Sequence, residues 1–114
     1  MHELSIVMGI VDIAEAEAAK AEVDSFDAIE LEIGKLSGVM LDALDFAWPV
    51  GVKNSVLQKA KLKIREVEAV VRCQECGHEF GVESLYEVCP RCGGFFQDLI
   101  QGKELKIKSL EYKH

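Results

Sequence analysis

Along the chain, apolar residues follow two periods in turn. From Glu3 to about Ala21 they recur at helical spacing: Leu4, Val7, Met8, Val11 and Ala18 form one stripe, widened by Ile6, Ile10 and Ile13. Asp12, Glu15, Glu17 and Lys20 fall mostly on the other side, and Ala14, Ala16, Ala18, Ala19 and Ala21 favour a helix because they lose no side-chain entropy on ordering. The period then drops to two between Phe26 and Leu36. Ile29, Leu31 and Ile33 face inward there, while Ala28, Glu30 and Glu32 face outward, which predicts a half-buried strand ending near Gly34.

A second helix is predicted from about Val39 to Trp48. Ser37 lies in its cap region, and Leu41, Leu44, Phe46 and Trp48 are its apolar candidates. Pro49 should end or kink this helix, because it lacks an N–H and clashes with the preceding turn. Leu62 and Ile64 open a second strand. Val67, Ala69 and Val71 continue it in shifted phase, which predicts a bulge near Arg65-Glu66. A third strand alternates through Glu104-Leu105-Lys106-Ile107-Lys108. The expected fold is α+β, with two helices against a small three-stranded sheet and a lobe inserted before the last strand. The strands flanking the insert are expected to pair as a long hairpin stem. Residues 1–71 plus 95–114 are assigned to the α+β domain and residues 72–94 to the inserted lobe.

The lobe carries the chemistry. Its four cysteines are the only ones in the chain, in the pairs Cys73-Gln74-Glu75-Cys76 and Cys89-Pro90-Arg91-Cys92. Two residues between sulfurs let one turn of backbone aim both at a single ion, and the 12 residues between the pairs suffice for a hairpin. Gly77 and Gly93-Gly94 follow the pairs, where a turn of positive φ is needed. Four thiolates in a tetrahedron suit Zn²⁺, and a site with no open position is structural rather than catalytic. Two disulfides would require an oxidising compartment, and the start Met1-His2-Glu3-Leu4-Ser5 has no basic region, apolar run and cleavage site. An iron–sulfur cluster also accepts four cysteines, but paired knuckles with trailing glycines favour zinc. The insert is therefore expected to be a zinc-ribbon-like lobe.

Composition narrows the functional classes. Nearly half of the 114 residues are hydrophobic and only two are proline, which describes a globular chain. The absence of an apolar run of about 20 residues leads to the expectation of a soluble, cytoplasmic protein with no membrane partner. Net charge is −7, and between Arg72 and Gly94 four acids (Glu75, Glu79, Glu83, Glu87) face only two bases, Arg72 and Arg91. A zinc ribbon that binds nucleic acid or transcription machinery is the alternative reading, but phosphate neutralisation needs a basic stripe that this lobe lacks. An enzyme is not expected, because four cysteines leave zinc no open position and no nucleophile–base constellation stands out.

His2 is the second informative feature. An amine at position 1 and an imidazole at position 2 flank one backbone amide, so amine, amide and ring nitrogens can close adjacent chelate rings around one ion. Nearly coplanar nitrogen donors suit Ni(II) or Cu(II) over zinc. At the start of a helix the first four N–H groups have no intrahelical partner, so deprotonating the amides of His2 or Glu3 breaks no helical bond. Glu3 can add its backbone nitrogen or a carboxylate oxygen. The residues alone leave this open, because a histidine at position 2 also arises by chance and chain ends fray.

Several segments together resemble the HypA/HybF family: Met1-His2-Glu3-Leu4-Ser5, Ile33-Gly34-Lys35-Leu36-Ser37-Gly38-Val39, the paired cysteines and Gly102-Lys103-Glu104-Leu105-Lys106-Ile107. The resemblance spans essentially the whole chain. It implies a cytoplasmic nickel metallochaperone for [NiFe]-hydrogenase maturation, which in some organisms also serves urease. Carried over by position, His2 is the essential nickel ligand with the Met1 amine and Glu3 beside it, and Cys73, Cys76, Cys89 and Cys92 hold structural zinc. Ni(II) is then transferred cargo. The implied partners are a HypB-type nickel GTPase and the hydrogenase large-subunit precursor, not nucleic acid, with the chain a monomer or weak homodimer. Members of the family can carry an acid near the start of the second helix; here that segment reads Met40-Leu41-Asp42, and Asp42 is left outside the ligand set. His78 follows the first knuckle and could join a metal site were the lobe to swing toward the N-terminus; the expected place is at the surface or behind the cysteines.

Overall fold

The computed structural model describes residues 3–113; Met1, His2 and His114 lie outside the described residues. In order, the elements are α1 (Glu3–Ala21), β1 (Ala28–Gly34), α2 (Leu41–Gly51), β2 (Lys61–Val67), β3 (Ala69–Cys73), β4 (Glu79–Val82), β5 (Gln97–Gln101) and β6 (Leu105–Glu111). They form two three-stranded sheets, ordered β2-β1-β6 and β4-β3-β5. The fold is α+β, with two helices, a small three-stranded sheet and a separate cysteine-bearing lobe.

Contacts divide the chain into two compact units. The first takes in the described residues up to Leu31, then Val39–Arg65 and the chain from Lys106 onward. The second comprises Glu32–Gly38 and Glu66–Leu105, so the segment 72–94 lies within a unit that also holds β3, β5 and the turn after β1.

In the first unit, α1 buries Val7, Ile10, Val11, Ala14 and Ala18. Leu4, Met8 and Ile13 from the expected stripe are exposed instead. The buried line runs through alanines because small side chains let a helix approach its neighbours closely. Ile29 and Leu31 of β1 are fully buried, as are Leu44 of α2 and Leu57 of the following turn. Each such side chain stabilises the fold by about 1.5–3 kcal/mol relative to exposure. Backbone bonds from Phe26 N–H to the Val56 carbonyl (2.9 Å) and from Lys61 N–H to the Asp27 carbonyl (3.0 Å) fasten the loop after α2 to the start of β1.

Three expectations need correction. The second and third expected strands do not pair as a hairpin stem, because β1 lies between β2 and β6. The shifted run from Leu62 to Val71 is two strands, separated at Glu68 and belonging to different sheets, instead of one bulged strand. Helix α2 continues through Pro49 to Gly51, with Met40 and not Ser37 at its N-cap. A proline this close to the end removes one helical bond, and buried Trp48 and Val52 hold the last turn, closed by Val52 N–H to the Trp48 carbonyl at 3.0 Å.

In the second unit β3 is the central strand, antiparallel to β4 (Ala69 opposite Val82, Arg72 opposite Glu79) and to β5 (Cys73 opposite Gln97). Ala69, Val71 and Val82 form its small core, with Leu36, Phe80 and Leu99 packed against it. So small a core leaves room for a cross-link to contribute.

Candidate metal centre

β3 ends at Cys73, and there the backbone builds a knuckle. Cys73 N–H donates to the His78 carbonyl at 2.9 Å, and Gly77 N–H donates back to the Cys73 carbonyl at 2.9 Å. The second pair repeats the pattern: Cys89 N–H donates to the Gly94 carbonyl at 3.0 Å and Gly93 N–H to the Cys89 carbonyl at 2.8 Å. Gly77 and Gly93 hold φ of +77° and +73°. Nothing lies within 4 Å of where a Cβ would stand at either, so glycine supplies conformation here, not space.

The two knuckles bring all four sulfurs within 4.8 Å of one another. Sulfurs meet across the knuckles, with Cys73 Sγ 3.5 Å from Cys92 Sγ and Cys76 Sγ 3.7 Å from Cys89 Sγ. A tetrahedral ion with metal–sulfur bonds of about 2.3 Å has sulfur–sulfur edges of about 3.8 Å. The spacing fits such an ion and is too wide for disulfides, and all four thiols are free. Cys73 and Cys89 are buried while Cys76 and Cys92 are exposed, so each knuckle pairs one buried with one exposed cysteine.

The electrostatics of the quartet point the same way. Burial pushes the Cys89 thiol up, but N–H donors of Cys92 and Arg91 and the neighbouring Cys76 outweigh it and bring Cys89 to about 7. At Cys92 the Gly94 N–H favours the thiolate, yet Cys73, burial, Cys76 and Cys89 together push it up to about 12. Four thiolates this close cannot all be charged unaided, and a bound cation removes that obstacle.

Met1 and His2, two of the three residues expected at the nickel end, lie outside the described residues. Glu3 opens α1 with its side chain buried, and its Oε2 accepts the Met40 N–H at 3.3 Å. That contact was not legible in the sequence; the only available signal was an acid in a first helical turn. Asp42 is exposed in the first turn of α2. His78 supplies a carbonyl to Cys73 and stacks its ring on Phe80 at 5.8 Å and 15°, and it stays outside the cysteine quartet. Arg72, one of the lobe's two bases, is paired with Glu79 at 3.1 Å.

Comparison with known proteins gives a consistent picture. The family described as "Hydrogenase/urease nickel incorporation, metallochaperone, hypA" matches residues 1–112. The hydrogenase maturation factor HypA of Francisella philomiragia is 38% identical over 112 residues, covering 98% of this chain and 99% of that protein. The protein of that name from Geotalea daltonii is 42% identical over 110 residues, covering 96% and 97%. Among solved structures, the nickel metallochaperone HypA from Helicobacter pylori aligns with a TM-score of 0.70 at 27% identity, covering 97% of each chain.

Proposed function

The chain belongs to the HypA family of hydrogenase and urease nickel-incorporation metallochaperones, and from that premise we propose that it captures Ni(II) with the nitrogens of its first residues and surrenders it during hydrogenase maturation. It is a maturation factor and not an enzyme. The observation that carries the reading is a family match over residues 1–112, which takes in Met1-His2-Glu3 together with the cysteine quartet. In this reading the Met1 amine, the His2 backbone nitrogen and the His2 ring nitrogen close two adjacent chelate rings in one plane, a nitrogen donor set suited to Ni(II), with Glu3 beside it. The amine and imidazole have reference pKa values of ~7.7–8.0 and ~6.5, so protons compete with the metal and uptake falls steeply on mild acidification. A site at a chain end can open and release its ion without unfolding the core.

The quartet of Cys73, Cys76, Cys89 and Cys92 is assigned to zinc, which would supply the charge that four clustered thiolates require. The protein's part is to aim the sulfurs with two matched knuckles and to leave no position open for substrate. Urease maturation is a second destination that the family description allows. A HypB-type GTPase and the hydrogenase large-subunit precursor are the assigned partners. The GTPase is assigned to the exposed side of α1 near its start, where Leu4 and Met8 remain 46% and 48% accessible.

Calorimetric titration with Ni(II) tests the central step: His2→Ala should lose tight binding, and affinity equal to wild type would end the proposal. For the docking face, Leu4→Ala/Met8→Ala should weaken capture of the GTPase in a pull-down. Undiminished capture would move the interface elsewhere.

A further inference from the structure

The second unit leaves a group of large apolar side chains exposed. Tyr86, Phe95 and Phe96 are 94%, 76% and 69% accessible, and Leu85 and Val88 are exposed beside them in the chain. Single exposed apolar residues are ordinary, but a group of them marks a surface that meets a partner. These five belong to one built feature. Cys89 N–H donates to the Gly94 carbonyl at 3.0 Å and the Gln97 side-chain amide donates to the Glu87 carbonyl, so segments 87–89 and 94–97 run side by side, with Val88 in one and Phe95 and Phe96 in the other. Gln74 N–H in turn holds the Phe96 carbonyl at 2.9 Å. The loop before them is closed on itself. The Glu87 carboxylate accepts the N–H groups of Glu83 and Ser84, and Ser84 Oγ accepts the Tyr86 N–H at 3.3 Å, which leaves Leu85 and Tyr86 at the apex.

Acids border this face. Glu83 and Glu87 flank the apex, the Glu75 carboxylate occupies the space that a Cβ at Gly94 would take, and Asp98 accepts the Gln74 side-chain amide at 2.9 Å. All four are exposed, and Arg91 is the one base between Glu83 and Asp98. We propose that Leu85, Tyr86, Val88, Phe95 and Phe96 form a docking surface for a basic segment of a partner protein, one whose apolar side chains are set among lysines or arginines. Such a segment meets opposite charge at the rim while its apolar side chains cover the aromatics, the usual order of an apolar centre within a polar rim. Nucleic acid and anionic membrane surfaces carry the same sign as the rim. A second copy paired about a two-fold axis would set Glu83 and Glu87 against their own counterparts, and like charges across an interface weaken it. The frame is already tied, so docking orders little further backbone. This surface is independent of the nickel site: it lies in the second unit, and the α1 face assigned to the GTPase lies in the first.

Selection from a displayed library of short random peptides on the zinc-loaded full chain, followed by NMR titration of the enriched peptide, tests this. Enriched sequences should combine lysine or arginine with aromatic or aliphatic residues, and the amide shifts should centre on residues 84–88 and 94–97. Tyr86→Ser/Phe95→Ser should bind the peptide about tenfold or more weakly while keeping its zinc. Glu83→Gln/Asp98→Asn removes charge but leaves Gln74 an oxygen acceptor. It should bind about threefold or more weakly at low salt, with the difference from wild type vanishing in about 0.5 M salt. If the serine variant does not hold zinc, the charge-neutral pair and the shift map decide the matter. No enriched sequence, an acidic or uncharged consensus, shifts confined to α1, or wild-type affinity in either variant at low salt would overturn the inference. A concentration-dependent dimer in sedimentation that the serine variant abolishes would overturn it too, by giving the face to a second copy.

Discussion

Gly77 and Gly93 follow the first and second cysteine pairs, and each turns its knuckle through positive φ to return an N–H to the first cysteine's carbonyl. A side chain at that angle costs about 1–2 kcal/mol, while the surrounding space would admit one. Gly93→Ala should therefore fold yet hold zinc about tenfold or more weakly, measured by competition with a chromophoric chelator. The thiols add a pH dependence. With Cys92 pushed up to about 12, metal-free protein keeps that proton at neutral pH, and binding must expel it. Zinc affinity should accordingly fall by about tenfold per pH unit for each proton displaced as the solution is acidified. An affinity flat between about pH 8 and pH 6 would show that the quartet is not the binding site.

At the scale of elements, the core helix packing and the strand exchange at Glu68 are open to separate tests. Leu44 is fully buried where α2 meets the rest of its unit. Leu44→Ala should lower unfolding free energy by about 2–5 kcal/mol in denaturant titration. The second unit has its own tight point. Gly102 holds φ of +128°, and a Cβ there would stand 2.7 Å from the Ala69 Cα. Gly102→Ala should lower the melting temperature more than Gly93→Ala does, because it combines backbone strain with a clash against a backbone atom that cannot rotate away. Periodicity located α1, β1, α2 and β6, since each repeats its spacing for long enough to register. It misread the run from Lys61 to Cys73, because a period of two is the same whether a chain continues in one sheet or passes into another. β4 and β5 escaped notice for a related reason: strands of four and five residues carry too few alternations to rise above their loops.

The whole molecule contains two compact units of unequal means. The first has α1, α2 and a buried set that includes Val7, Ile29, Leu31, Leu44 and Leu57. The second has a smaller buried set, with Ala69, Val71 and Val82 clustered against three half-buried neighbours, and four sulfurs are poised to cross-link its loops. Stripping metal with a strong chelator should thus raise amide exchange across residues 72–96 by orders of magnitude while leaving α1 and β1 within about twofold. Uniform loosening of both units would mean that the metal supports the entire fold. Within the acidic lobe, Arg72 is paired with Glu79.

By itself the sequence determined the two cysteine knuckles, because residue type and short-range spacing are local: two residues between sulfurs and a glycine after each pair define a knuckle wherever it folds. It likewise determined the helices and the central strand, whose periodic apolar positions have only one economical way to leave water. The tertiary structure alone decided what depends on distant segments meeting. It set β1 between β2 and β6, parted the second strand at Glu68, and brought the Glu3 carboxylate to the N–H of Met40, 37 positions away at the start of α2. A hydrogen bond between remote segments leaves no period and no motif, so only the folded chain brings it about.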